Sequence, residues 1–274
     1  EPGSTSVMRA SLTVSVPDQQ NNTITKNTPI TVDQSETSIA IAIIATDDYL
    51  NATEVTQPLE VRGVSTVFGP GVSIVVQLNG KSYNAVIDGA GNWSAVIPVA
   101  DLAQLKDGPR EVTATVTLGS QTATDQPILN VAINQLPKPE IEPPFGDAVL
   151  NATEAGTAQV ITGNTGVSGI GQKVSVVLGG KTYTGTVDSD GTWSVTVPAA
   201  DLQKLPQGSV PLVVNVSDAA GNNASLPVTT TVDTLPPELA VLPMGGDGKL
   251  SGQDLTTTQV LSGISAMSEA GQTV

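Results

Sequence analysis

One block of sequence returns every hundred residues, and no other property of this 274-residue chain constrains its fold so tightly. DDYLNATE begins at Asp47, DAVLNATE at Asp147 and DGKLSGQD at Asp247. Gly63, Gly163 and Gly263 keep the same phase, as do Gly71, Gly171 and Gly271. KSYNAVIDGAGNWSAVIPVADL from Lys81 matches KTYTGTVDSDGTWSVTVPAADL from Lys181. At an offset of two hundred, Ser11–Asp33 aligns with Pro211–Asp233. A fixed period of this kind marks tandem structural units. The phase divides the chain into the last strands of one repeat (1–33), complete repeats over 34–134 and 135–233, and the opening part of a further repeat (234–274). The opening EPGS, within residues 1–8, has the character of an expression scar. Neither terminal piece can close a core alone. The chain therefore reads as a segment of a longer array, with end pieces that fray or pair with something outside it.

Composition sets the class of each unit. Aromatic residues make up 3% and charged residues 14%, while apolar residues reach 39%, too many for a disordered chain. Val and Thr favour strands, and Gly, Asn and Pro favour turns. VSIVVQL from Val72, KSYNAVI from Lys81, WSAVIPV from Trp93, REVTATVTL from Arg110 and ILNVAI from Ile128 are separated by the turn signals NGK, DGAGN and KDGP. About seven short strands per hundred residues predict an all-β protein of tandem immunoglobulin-like β-sandwiches in an elongated array. The stretch from Ala199 and its counterpart Ala100–Leu105 predict one helical turn each. Trp93 and Trp193, each just after a tight turn, are expected to plug the cores rather than to stack sugars.

The same composition narrows the chemistry. With no His and no Cys, the usual general base, the thiolate nucleophile and sulfur-ligated zinc are absent. Paired carboxylates would have to serve a hydrolase, and repeating modules are seldom built with one active site each. No enzymatic role is expected. The net charge of −15 repels nucleic acid and anionic membrane surfaces. It suits a hard cation or plain solubility. No apolar run is long enough to span a bilayer, and this segment is not expected to insert in a membrane.

The acids that recur where one repeat meets the next carry the most specific expectation. Asp33 closes a last strand; Asp47, Asp48 and Glu54 follow at the entry to the next repeat. Asp233, Asp247 and Asp254 repeat that spacing. Carboxylates, turn amides and backbone carbonyls together supply the six to eight oxygens that Ca²⁺ takes. Asp18 with Asn22, and Asp218 with Asn222, lie on turns expected to add oxygens. The competing reading makes all of these caps and turn formers. Asp147 and Glu154 match the pattern, but Asn134, one position out of register, stands where Asp233 would be matched, and Leu118 stands for Asp218. That junction, reading NQLPKPEIEPPFGD, is expected to hold less calcium or none, and to rely on proline and packing. DSDG at Asp188 opens like an EF-hand loop, but Ala199 occupies the twelfth position, so a hairpin turn is expected. The Asn51, Asn92 and Asn151 sequons read as turns.

Four features together resemble the bacterial Ig-like repeats of giant adhesins exported by type I secretion, the large non-fimbrial and biofilm-associated adhesins. They are VDTLPPELAV at Val232, the D-x-x-L-N-A-T-E loops, the G-K-x-Y…D-x-x-G-x-W-S-V block and VSDAAGNNAS at Val216. The resemblance runs from about Ser11 onward. It implies a secreted, cell-surface rod with calcium at inter-domain joints, in contact with neighbouring repeats. It also implies a distal domain that reaches a host cell or biofilm matrix. The implied calcium ligands are Asp33, Asp47, Glu54, Asp233, Asp247 and Asp254. Two other readings stay open: repeats that themselves bind glycan or neighbouring cells, and the stalk of an intimin-like adhesin.

Overall fold

The computed structural model describes residues 7–17, 23–33, 36–236, 238–244 and 248–265. Contacts divide the chain into two compact units: residues 1–137 with 217–223, and residues 138–216 with 224–274.

The first unit holds a two-sheet sandwich. One sheet runs in the order Tyr49–Asn51, Ile128–Ala132, Gly108–Leu118, Val72–Leu78, Lys81–Asn84, with Gln121–Asp125 also paired to Gly108–Leu118. The other runs Ile39–Ile41, Leu59–Ser65, Asn92–Ile97, Val86–Ile87. The expected seven strands are the passes of the chain, and three of those passes are interrupted. The first pass serves one sheet at Ile39–Ile41 and the other at Tyr49–Asn51. The pass from Lys81 changes sheets after Asn84. The last pass breaks at Gln126–Pro127. Ahead of this sandwich, Val7–Pro17 and Thr23–Asp33 form an antiparallel pair.

The second sandwich repeats the plan. Val149–Asn151, Asn223–Asp233, Gly208–Ser217, Lys173–Leu178 and Lys181–Thr184 form one sheet. Glu140–Ile141, Gln159–Asn164, Thr192–Val197 and Thr186–Val187 form the other. Here the last pass is unbroken.

Alternation decides what each core contains. Along Val72–Leu78, Ile74, Val76 and Leu78 turn inward while Ser73 and Gln77 do not. They meet Val61, Trp93, Ile97 and Leu129. Val176, Ile161, Trp193, Val197 and Leu212 do the same in the second core. Burying each such side chain contributes roughly 1.5–3 kcal/mol before the entropy of ordering is counted. Trp93 and Trp193 are 2% and 3% exposed, as core plugs. Their indole N–H groups are buried without a hydrogen-bond partner.

The recurring glycines at 63 and 163 follow from those indoles. Gly63 pairs with Trp93 across the sheet, and Gly163 pairs with Trp193. A Cβ on Gly63 would fall far inside van der Waals distance of Ala40 O and Trp93 Cζ2; at Gly163 the clash is with Glu140 O and Trp193 Cζ2. The helical turns form at Val99–Leu102 and Ala199–Leu202, burying Leu102 and Leu202.

Candidate functional site

The acid-bearing entry loops are built by local hydrogen bonds. Asn51 Oδ1 accepts from the N–H groups of Thr53 and Glu54, at 2.9 Å each, and Glu54 Oε2 accepts from Asn51 N at 3.1 Å. Asn151 and Glu154 form the same reciprocal cap. Asp254 accepts from Ser251 N at 2.7 Å, and hydrogen bonds from Ser251 hold its carboxyl below the usual carboxylate range. Asp47 Oδ1 takes Tyr49 N–H at 3.0 Å, and Asp147 Oδ1 takes Val149 N–H at 2.9 Å. Asp48 sits at φ 63° with its Oδ1 on Ile44 N–H; Ala148, at φ 67°, holds the same left-handed position without a carboxylate. The spacing between Asn51 and Glu54 is thus a capping box. Each of these acids spends an oxygen on it or on its own turn.

Asp18 and Asp247 lie outside the described residues, as does the side chain of Asp33. Among the described residues, no three acidic side chains converge into a group able to hold a metal ion.

Strand register corrects one expected match. Asn51 lies opposite Ala132 in a parallel pair, and Asn151 lies opposite Asp233 in the same way. Ala132, not Asn134, is therefore the counterpart of Asp233. The one-residue shift against the hundred-residue phase arises in the turn before the last pass: Leu118 pairs with Gln121, whereas Asp218 faces Asn222, and the register with Gly108–Leu118 is then the same on both sides of Gln126–Pro127.

Asn134 has another task, and the residue behind it was not anticipated. Asp107 accepts hydrogen bonds from Ile133 N (2.9 Å), Asn134 N (3.0 Å), Asn134 Nδ2 (3.0 Å) and Gln135 N (2.6 Å). Burial pushes its carboxyl up, but the bonds from Gln135, Ile133 and Asn134 outweigh burial and hold it below its ordinary value. The exit segment of the first sandwich, expected to rely on proline and packing, is gripped by a carboxylate as well. In the second unit Gln207 takes that place: its Oε1 accepts Thr234 N–H at 3.0 Å and its Nε2 donates to Thr234 Oγ1 at 2.5 Å. The signal was a hydrogen-bonding residue just before Gly108 and Gly208 in both repeats.

Asp218, expected as an oxygen donor on its turn, holds Asn222. Asp218 Oδ1 accepts Asn222 N at 2.9 Å and Oδ2 accepts Asn222 Nδ2 at 2.7 Å. Residues 217–223 belong to the first unit. There Asn222 Oδ1 accepts Ala52 N–H at 2.9 Å and Asn222 Nδ2 donates to Ala132 O at 2.8 Å. One amide thus bridges both strands at the end of the parallel pair. Asn51 Nδ2 adds a bond to Ala220 O at 3.2 Å.

A further recurring set braces each hairpin against its helical turn. Lys81 Nζ meets Asp101 Oδ1 at 2.6 Å, and Tyr83 OH donates to Asp101 Oδ2 at 2.9 Å. Lys181 pairs with Asp201 likewise. Burial, with the Asp101 contact, pushes the Tyr83 phenol up to about 12.

Residues 154–234 match the family model described as bacterial Ig-like domain. A solved bacterial immunoglobulin-like domain from the M. primoryensis ice-binding adhesin is 34% identical over 99% of its length and 36% of this chain, with a TM-score of 0.28. The chain belongs to the bacterial Ig-like domain family. Two longer solved structures are similar to the bacterial Ig-like chain. One is described as a Ca²⁺-stabilized adhesin that helps an Antarctic bacterium reach out and bind ice; it is 25% identical, with a TM-score of 0.40, over 93% of this chain and 64% of that one. The other concerns host cell surface retention of a 1.5-MDa bacterial ice-binding adhesin; it is 27% identical, with a TM-score of 0.38, over 85% of this chain and 76% of that one. The bacterial Ig-like chain thus spans just under two thirds of the first of these. No curated protein matches it.

Proposed function

We propose that this chain is a spacer segment in the stalk of a bacterial surface adhesin, without enzymatic activity, stiffened by calcium where repeats meet. On this reading it projects a distal binding domain from the cell. The observation that carries the reading is what recurs. The second sandwich repeats the strand ends, capping loops, exit clamps and hairpin braces of the first, and each of these fixes the backbone. The repeat boundaries proposed from the phase, 34–134 and 135–233, fit this assignment. The adhesins to which the chain is similar, one of them described as Ca²⁺-stabilized, agree with it.

For calcium, the proposed donors are Asp233, Asp247 and Asp254 beyond the second repeat, and Asp33, Asp47, Asp48 and Glu54 before the first. Asp18, Asp218, Asp147 and Glu154 are secondary. Sites of extracellular type, with affinities on the order of 10⁻⁴–10⁻³ M, would stay empty in a cytosol and fill outside the cell. Their binding energy would then add to stability only after export.

A calcium titration of the chain, followed by amide NMR shifts, tests the metal assignment. Saturable shifts around Asp233 and Asp254, lost in Asp233→Asn, are expected. Shifts absent up to several times the extracellular calcium level would remove calcium from the account.

A further inference from the structure

The end of the second sandwich has the same backbone as the end that Asn222 bridges in the first unit. Tyr49–Asn51 runs parallel to Ile128–Ala132 with Asn51 opposite Ala132, and Val149–Asn151 runs parallel to Asn223–Asp233 with Asn151 opposite Asp233. In the first unit, Ala52 N–H and Ala132 O are the donor and acceptor of that end, and both are taken by Asn222. The equivalents are Ala152 N–H and Asp233 O. The two ends differ in exposure. Asn51 and Ala52 are half-buried, whereas Asn151 and Ala152 are exposed. Among the described residues, no side chain bonds to Ala152 N–H.

The element that fits such an end is also defined. In the sequence Asp218-Ala-Ala-Gly-Asn222, the Asp218 carboxylate fixes the Asn222 amide, leaving its oxygen and one N–H to face outward. Asp88-Gly-Ala-Gly-Asn92 adopts the same turn. Asp88 Oδ1 accepts Asn92 N at 2.9 Å, Asp88 Oδ2 accepts Asn92 Nδ2 at 2.8 Å, and Asp88 N donates to Asn92 O at 2.8 Å. The turn is therefore a preformed local unit, and its ordering cost is met before docking.

We propose that the strand end formed by Asn151, Ala152 and Asp233 is a docking socket for an Asp-x-x-Gly-Asn turn from another repeat of this kind. The docked Asn amide would accept from Ala152 N–H and donate to Asp233 O, as Asn222 does at Ala52 and Ala132. The ion-free contact rests on the repeat-array reading but not on calcium.

The test uses the full chain in the presence of EDTA, so that failure of calcium binding is read separately. The probe is a macrocyclic hairpin carrying the Val214–Leu226 sequence, its Asp–Asn turn verified by its own NMR contacts. At millimolar concentration it should shift the amide signals of Ala152, Thr153 and Asp233. The same macrocycle with the Asn222→Ala change should bind roughly tenfold more weakly or worse, having lost both bonds. Ala152→Pro in the chain removes the N–H without disturbing the loop. Asn151 already has extended φ/ψ of −89° and 174°, suited to a residue before proline, and proline is tolerated at the first helical position. This variant should abolish the shifts while Trp193 fluorescence stays native. The proposal is overturned if a folded macrocycle moves no signals or moves signals elsewhere. It is also overturned if the macrocycle binds equally well with Asn222 changed to Ala, or binds the Ala152→Pro chain unchanged.

Discussion

Asp107 Oδ2 accepts the backbone N–H of Gln135 at 2.6 Å, across 28 residues of chain. With Ile133 and Asn134 also bound, one carboxylate satisfies three consecutive backbone donors that lie beyond the last strand. Asp107→Ala should release residues 133–135. Hydrogen bonds to a charged group are worth about 1.5–3 kcal/mol, so the loss should be of at least that order. Faster amide exchange confined to that segment is the measurement.

The same carboxylate makes the clamp sensitive to acid. Its folded value is held below the ordinary carboxylate value of about 4. As pH falls, the unfolded chain takes up the proton first. The stabilisation is therefore complete above about pH 4 and is lost as pH drops through the folded value. Asp107→Asn should flatten that part of the acid unfolding profile. Gln207 has no proton to gain, so the protection of Thr234 N–H, taken relative to its intrinsic exchange rate, should stay level over the same range.

Asn222→Ala should destabilise the end of the first sandwich by about 1–3 kcal/mol, since it strands Ala52 N–H and Ala132 O together. Asn222→Asp should be worse. A carboxylate offers nothing to Ala132 O and meets the Asp218 carboxylate. Urea midpoints of the two variants give the order.

Gly63→Ala should unfold the first sandwich selectively, because the added Cβ meets both the Ala40 carbonyl and the Trp93 ring. Overpacking of this kind costs about 1–3 kcal/mol or more. Changed Trp93 emission, with Trp193 emission retained, is the expected signature.

Tyr83 should ionise near pH 12 in ultraviolet titration, well above an ordinary phenol. Asp101→Asn removes the charged acceptor, so its midpoint should fall. An unmoved midpoint would mean that burial alone sets it.

These residues also show where sequence reasoning reached and where it stopped. The hundred-residue phase and the alternation around Ile74 and Val176 made the sandwich and its repetition legible. The same phase exposed Gly63, but not its reason, because the Trp93 ring reaches it only across the sheet. Glu54 and Glu154 read equally well as ion ligands or caps, since a carboxylate three residues after Asn serves both. A turn one residue shorter in the first sandwich, with Leu118 facing Gln121 where Asp218 faces Asn222, hid the match of Ala132 to Asp233, because spacing alone does not show which turn loses a residue. Asp107 went unseen because its partners are backbone groups far along the chain.

The central claim is that calcium stiffens the joints of a repeating spacer. Small-angle scattering of the chain, in calcium and after EDTA, measures it directly. A shorter persistence length and a broader spread of dimensions in EDTA are predicted. The same dimensions in both conditions would contradict the claim.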